Sequence, residues 1–286
     1  MTKLEYTLTN DTLFKMLFVK RPDLLKRLVA ELLNIRLESI GEFLITNPDI
    51  PPDFLGDKSC RLDINMIVDS QRVDLEIQVK NENDYPERSL YYWARDYSSA
   101  LSQGVNYSQL PRTIIISILA FPLFDCAEFH SEFKPLEVTR HTPLTDRMGL
   151  HYFELPKLPE EVGPDEGLKL WLSLFKAETE EELSKLNEMG VPVIQETIGA
   201  YRKLSATEEF RELERMRHFA EANRASSIAY AEEKGYREAE EKWQGVVATK
   251  DDAIATKDAA IATKDAALAD KDALIAELRA RLGEGN

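Results

Sequence analysis

LEIQVKN, residues 75–81, follows RLDINMIVD at 61–69, and both stretches place an apolar residue at every second position. Successive side chains of a strand point to opposite faces. Leu62, Ile64, Met66 and Val68 therefore share one face, with Asp63 and Asn65 on the other. Val73, Leu75, Ile77 and Val79 likewise oppose Asp74, Glu76, Gln78 and Lys80. The short polar turn around DSQR predicts an antiparallel hairpin. Burying both apolar rows on one side forces Asp63 onto the face that carries Glu76 and Gln78. A two-residue loop sets Asp63 opposite Glu76; a four-residue loop sets it opposite Gln78, with Glu76 diagonal. In either register two carboxylates are close, and they repel unless one is protonated or a cation lies between them. Hard oxygen donors of this kind suit Mg²⁺ or Mn²⁺. An ordinary hairpin with a solvated polar face carries the same pattern, and spacing alone does not separate the two.

Outward from the hairpin, TNDTLFKMLF reads as a helix capped at Asn10 or Asp11, and RPDLLKRLVAELLN as a second helix. NPDIPPDF is a proline-marked loop. A helix is expected from about Glu87 to Gln103, ending at Gly104, and TIIISIL at 113–119 is apolar enough for a fully buried strand. Helix, strands, long helix and buried strand in that order predict a mixed α/β core whose helix crosses over between parallel strands. FKPLEV and GLHYFEL read as short strands extending the sheet, and KLPEEVGPDEG as an exit loop. From Leu168 the chain reads as helical almost throughout. The tail repeats AIATKDA, AIATKDA, ALADKDA, with Ile254, Ile261, Leu268, Ile275 and Leu282 spaced by seven. A seven-residue period favours a left-handed coiled coil, but Lys257, Lys264 and Lys271 occupy the second seam position until Leu278. An alanine-rich solvated helix is the competing reading.

A 286-residue chain that is 43% hydrophobic has length for one sizeable core and an appendage. No window approaches a membrane span, and no leader pattern opens the chain, so a cytoplasmic protein is expected. Cys60 and Cys126 have no metal or disulfide spacing, and four scattered histidines make no zinc signature. The net charge of −15 argues against a generic nucleic-acid coat protein, though it leaves room for a local site on DNA.

An aspartate on one strand, Glu-x-Lys on the next, then a helix, is the order of the PD-(D/E)XK nuclease core. This chain resembles that superfamily, and within it the Rpn branch of recombination-promoting nucleases and transposases. The matching residues are DTLFKMLF near the N-terminus, LDI at 62–64, EIQ at 76–78, ERSLYYWARDYSSALSQGVNYSQLPRTIIISIL at 87–119 and FELPK at 153–157, across roughly residues 9–160. The resemblance implies a restriction-endonuclease-like α/β core, a mixed sheet flanked by helices, followed by an all-helical C-terminal region ending in a heptad-repeat helix. The expected domains are 1–160 for the nuclease-like core, 161–245 for a helical region and 246–286 for a coiled-coil tail.

It also implies a metal-dependent DNA endonuclease, acting in recombination, mobile-element or defence biology. Asp63 and Glu76 would hold Mg²⁺ or Mn²⁺ with the carbonyl of Ile77, and Gln78 would position the attacking water. Gln78 stands where the superfamily has lysine, as is usual in this branch, and no proline precedes Asp63. An amide orients a water but brings no positive charge; Lys80, further along the strand, or Lys15, from the first helix, is expected to restore it. Arg88 and Tyr92 are expected to contact DNA, with a local pair to Glu87 or Asp84 as the alternative for Arg88. Tyr91, Tyr92, Trp93 and Tyr97 otherwise read as core rather than as base-stacking platforms. Asp11 and Glu31 are candidate outer carboxylates. The implied partners are DNA and a second copy through the C-terminal helices. The alternative is a catalytically inactive nuclease-fold scaffold oligomerising through its tail. A DDE transposase finds no third distant carboxylate.

Overall fold

The computed structural model describes residues 2–47, 64–101 and 106–283. Asp63, Leu62, Cys60 and Gly104 lie outside the described residues. The elements run α1 (Asp11–Lys20), α2 (Pro22–Leu32), β1 (Phe43–Ile45), β2 (Ile64–Val68), β3 (Gln71–Gln78), α3 (Tyr85–Ser99), β4 (Thr113–Leu119), β5 (His130–Phe133), β6 (Met148–Glu154), α4 (Gly167–Lys176), α5 (Glu180–Glu188), α6 (Pro192–Ser205) and α7 (Glu208–Gly283). Asn10 caps α1 by accepting from the N–H of Leu13 at 2.9 Å. None of the described helices is long and apolar enough to cross a membrane.

Among the described residues six strands form one mixed sheet in the order β1-β2-β3-β4-β6-β5. β1, β2 and β3 are antiparallel neighbours, β3, β4 and β6 are parallel, and β5 returns antiparallel on β6. The expected crossover is α3, which carries the chain from β3 to its parallel neighbour β4. The β2–β3 turn has two residues, Asp69 and Ser70, both at positive φ (47° and 62°), the left-handed pair that a tight hairpin requires. Asp69 also accepts from the N–H groups of Gly41 and Glu42, which holds the approach to β1 against the turn.

One face of the sheet carries the main core. Ile64, Met66, Val68, Val73, Leu75 and Ile77 of the hairpin join Ile114, Ile116 and Ile118 of β4 and the apolar sides of α1, α2, α4, α5 and α6. The same core continues to Phe210, whose ring meets Tyr6 edge-on at 4.9 Å. The other face packs a smaller cluster of Tyr85, Ile115, Leu119, Phe121, Leu150 and Tyr152 beneath α3.

Two expectations are corrected. FKPLEV is not a strand: β5 ends at Phe133, and beyond it Leu136 makes only an isolated bridge to Pro143. Pro135 lacks the N–H that a continuing ladder would use. β3 ends at Gln78, so Val79 is exposed and Lys80 lies past the strand rather than on its polar face.

The first compact unit reaches Ala220. Beyond it α7 is an exposed helix, and Ile254, Ile261, Leu268 and Ile275 are each about half exposed along it (47–57%).

At the β5–β6 edge, His151 is buried, with Nδ1 3.2 Å from His130 Nε2 and Nε2 3.6 Å from Glu132. Burial pulls its pKa down to about 4. The Glu132 charge opposes that shift, while His130, Arg112 and Lys134 add to it. The unfolded chain, with an ordinary imidazole near 6.5, takes the proton first. The stability from this group is complete above pH 6.5 and is lost as pH falls towards 4. The loss is expected to reach about 3 kcal/mol. Urea unfolding across that range should show it, and His151→Phe should flatten the slope; an unchanged slope would count against this assignment.

Candidate active site

The polar side of β3 faces α3 and carries Asp74, Glu76 and Gln78. In the parallel ladder Glu76 pairs with Ser117, and Ser117 with Tyr152, so a polar row crosses three strands inside an otherwise apolar layer. Glu76 is 3% exposed and Ser117 1%. A buried carboxylate is costly unless hydrogen-bonded. Its partners come from its own strand and from the first turns of α3.

Tyr85, the first residue of α3, is fully buried. Its hydroxyl lies 2.8 Å from Ser117 Oγ and 3.1 Å from Glu76 Oε2, within reach to donate to either. Burial, and next the Glu76 charge, raise the phenol well above its ordinary pKa, so Tyr85 stays a neutral donor. One turn on, Ser89 and Tyr152 join their hydroxyls at 2.5 Å, closing the polar row behind the site.

Gln78 Nε2 donates to Glu76 Oε2 at 3.3 Å, and Gln78 Oε1 accepts from Arg88 Nη2 at 2.7 Å. These two contacts fix which end of the amide faces the carboxylate. Arg88 Nη1 pairs with Glu82, and the guanidinium lies 5.0 Å above the Tyr85 ring. Arg88 Nε is buried and meets no partner among the described residues. The turn from β3 into α3, with Asn83 at φ 63° and its N–H held by Asn81, delivers Arg88 back over the strand end.

The sequence-derived candidates therefore divide. Glu76, Gln78 and Arg88 meet in one network. Asp74 is buried on the same strand face, opposite Asn65. Ala120 donates to the carbonyl of Gln78 at 2.9 Å, so alternation along the strand turns the carbonyl of Ile77 the other way, toward β2. The two-residue turn is the case in which hairpin arithmetic sets Asp63 against Glu76, although Asp63 lies outside the described residues. Lys15 is buried in α1, and Lys80 is exposed beyond β3. Tyr92 is half-buried, with Tyr91 edge-on at 5.8 Å and Arg95 5.5 Å above its ring. Asp11 faces Arg217 at 3.7 Å, and the Glu31 carboxylate rests against Gly167 at the start of α4.

Tyr85, Ser117, Ser89 and Tyr152 escaped the sequence reading. The one signal was the lone serine in TIIISIL, which period-two alternation puts on the face of Ile115 and Leu119.

Among the described residues no group of three His, Cys, Asp or Glu side chains is arranged to hold a metal ion. The carboxylates of Asp74 and Glu76 on this face, and the main-chain carbonyl of Ile77 directed toward β2, are nonetheless hard-oxygen donors of the type that Mg²⁺ and Mn²⁺ accept. A family model described as PD-(D/E)XK nuclease family transposase matches residues 8–231. No curated relative and no solved structure matches the chain.

Proposed function

The chain belongs to the PD-(D/E)XK nuclease family transposases, and on that premise we propose that it is a divalent-metal-dependent endonuclease that hydrolyses phosphodiester bonds in DNA. The observation that carries this reading is a buried glutamate, Glu76, tied to the Gln78 amide and the Tyr85 hydroxyl at the end of a parallel strand. Asp63, Glu76 and the Ile77 carbonyl would hold Mg²⁺ or Mn²⁺, which when bound supplies Lewis-acid stabilisation and a more acidic water.

The protein's own groups do the rest. One Gln78 N–H is directed to Glu76, and the second holds the attacking water by its oxygen. Tyr85, kept neutral, steadies the Glu76 carboxylate without competing for charge. Lys80 and Tyr92 are proposed to face the DNA backbone, and Asp11 and Glu31 to act as outer carboxylates, whereas Lys15, buried in α1, does not reach DNA. A role in recombination, mobile-element movement or defence, in the cytoplasm, is part of this proposal.

The division into 1–160, 161–245 and 246–286 is proposed as one of function, with the catalytic strands in the first part, supporting helices in the second and self-association in the third. Half-exposed apolar residues at every seventh position support a second copy as the tail's partner. Truncation after Gly245 should lower the oligomeric state measured by analytical ultracentrifugation and leave metal binding in place; an unchanged state would remove the tail from assembly.

Supercoiled plasmid incubated with the protein and Mg²⁺ or Mn²⁺ should be nicked or linearised, and chelator should stop it. A folded protein that cleaves nothing under either metal would leave the scaffold reading in place of the nuclease one.

A further inference from the structure

In the Glu-x-Lys pattern the strand itself supplies a cation beside the glutamate. Here that position is Gln78, whose amide is neutral, yet Gln78 is not alone. Arg88 Nη2 donates to Gln78 Oε1 at 2.7 Å, and Gln78 Nε2 donates to Glu76 Oε2 at 3.3 Å. We propose that Arg88 replaces the missing lysine by acting through Gln78, as a positioning residue that locks and polarises the amide facing Glu76. The inference rests on the nuclease reading of this site for its catalytic consequence, but not for its structural one.

The direction of the chain of bonds makes the argument. A guanidinium has only donors and a carboxylate only acceptors. An amide between them has a single orientation that satisfies both, with the oxygen toward Arg88 and the nitrogen toward Glu76. Flipping it would set oxygen against carboxylate and N–H₂ against guanidinium. A hydrogen bond from a cation to Oε1 also draws electron density from the amide and strengthens Nε2 as a donor. Part of the positive charge thereby reaches the water position through the side chain between.

Arginine suits this place better than lysine. Its planar fork reaches Gln78 with one Nη and Glu82 with the other while its face lies over Tyr85, three contacts that a single ammonium cannot make together. With only 16% of its side chain exposed, the group is held rather than searching solvent for a phosphate. A lysine at 78 would stand beside Arg88 as a like charge. Residues 78 and 88 therefore form a pair in which one cation is accommodated, at either position.

The test uses the full-length protein with ¹⁵N-glutamine labelling and measures both the Gln78 side-chain amide and single-turnover cleavage. In the wild type the two Nε2 protons should appear as a resolved pair, shifted from free glutamine and slow to exchange. A pair at free-glutamine positions would overturn the proposal without any variant. In Arg88→Met the pair should move toward free glutamine, and the single-turnover cleavage rate should fall at least about tenfold with the half-saturating protein concentration little changed, the order of one charge-assisted hydrogen bond. Arg88→Lys should recover part of both. Gln78→Lys alone should be impaired, and Gln78→Lys with Arg88→Met should cleave faster than either single variant, which a merely structural role for Arg88 would not produce. Unmoved amide signals in Arg88→Met, or a double variant no better than the singles in a protein that cleaves, would overturn it. If the wild type does not cleave, the nuclease reading falls, and the amide signals alone decide whether Arg88 holds Gln78.

Discussion

Glu76→Ala is expected to lower cleavage by about a thousandfold or more, the scale lost when one charge-organising group leaves an active site. The fold should tolerate the change. The Tyr85 hydroxyl keeps Ser117 at 2.8 Å as its acceptor, and Gln78 remains bonded to Arg88. Removing a buried carboxylate also removes its desolvation cost, which offsets much of the lost hydrogen bonding. The net change in unfolding free energy should stay within about 1 kcal/mol. Asp63→Ala should behave in the same way towards cleavage. Loss of cleavage with an unchanged urea midpoint would place Glu76 in the chemistry. A large drop in the midpoint would make the residue structural, and full activity would remove it from the site.

Trp171→Ala carries the largest expected effect on stability. Trp171 is 2% exposed on α4, beside Phe18 of α1 at 6.3 Å between ring centres, in a cluster where Phe175 lies 6.0 Å from Phe14. Truncating such a side chain removes its transfer free energy and leaves a cavity that the aromatic neighbours cannot close, at about 3–5 kcal/mol. Leu75 and Ile77, the inward neighbours of Glu76 on β3, belong to the same core. The helices after residue 160 thus hold up the strand that carries the proposed site. Denaturant unfolding should show the loss, whereas Tyr107→Ala, at a position 76% exposed, should change stability by no more than about half a kcal/mol. Equal effects for the two would contradict this core.

The parts of the fold that were legible in the sequence are those where a short period decides. Alternation in RLDINMIVD and VDLEIQVK assigns the buried and polar faces of the hairpin, and the apolar run at 113–119 marks the central parallel strand, each because burial on one or both faces leaves a direct mark on residue type. The loop length stayed open because Asp and Ser do not announce positive φ as glycine does; Asp69 and Ser70 adopt it while Asp69 ties down the approach to β1. The end of β3 was placed too late because Val79 continues the alternation while the chain has already left the ladder. Tyr85 was invisible for a different reason. It reaches Glu76 and Ser117 only through the pairing of β3 with β4, and no local pattern encodes that pairing. For Arg88 the sequence offers a DNA contact or a local pair with Glu87 or Asp84; in the structure it meets Glu82 and Gln78, because the turn after β3 folds the helix start back over the strand end.

The most direct measurement is cleavage of supercoiled plasmid by the wild-type protein and Asp63→Ala side by side, at equal concentration and equal Mg²⁺. Metal-dependent nicking by the wild type and none by the variant is the predicted result. Equal cleavage by both, or by neither while both are folded, would contradict a nuclease centred on this hairpin.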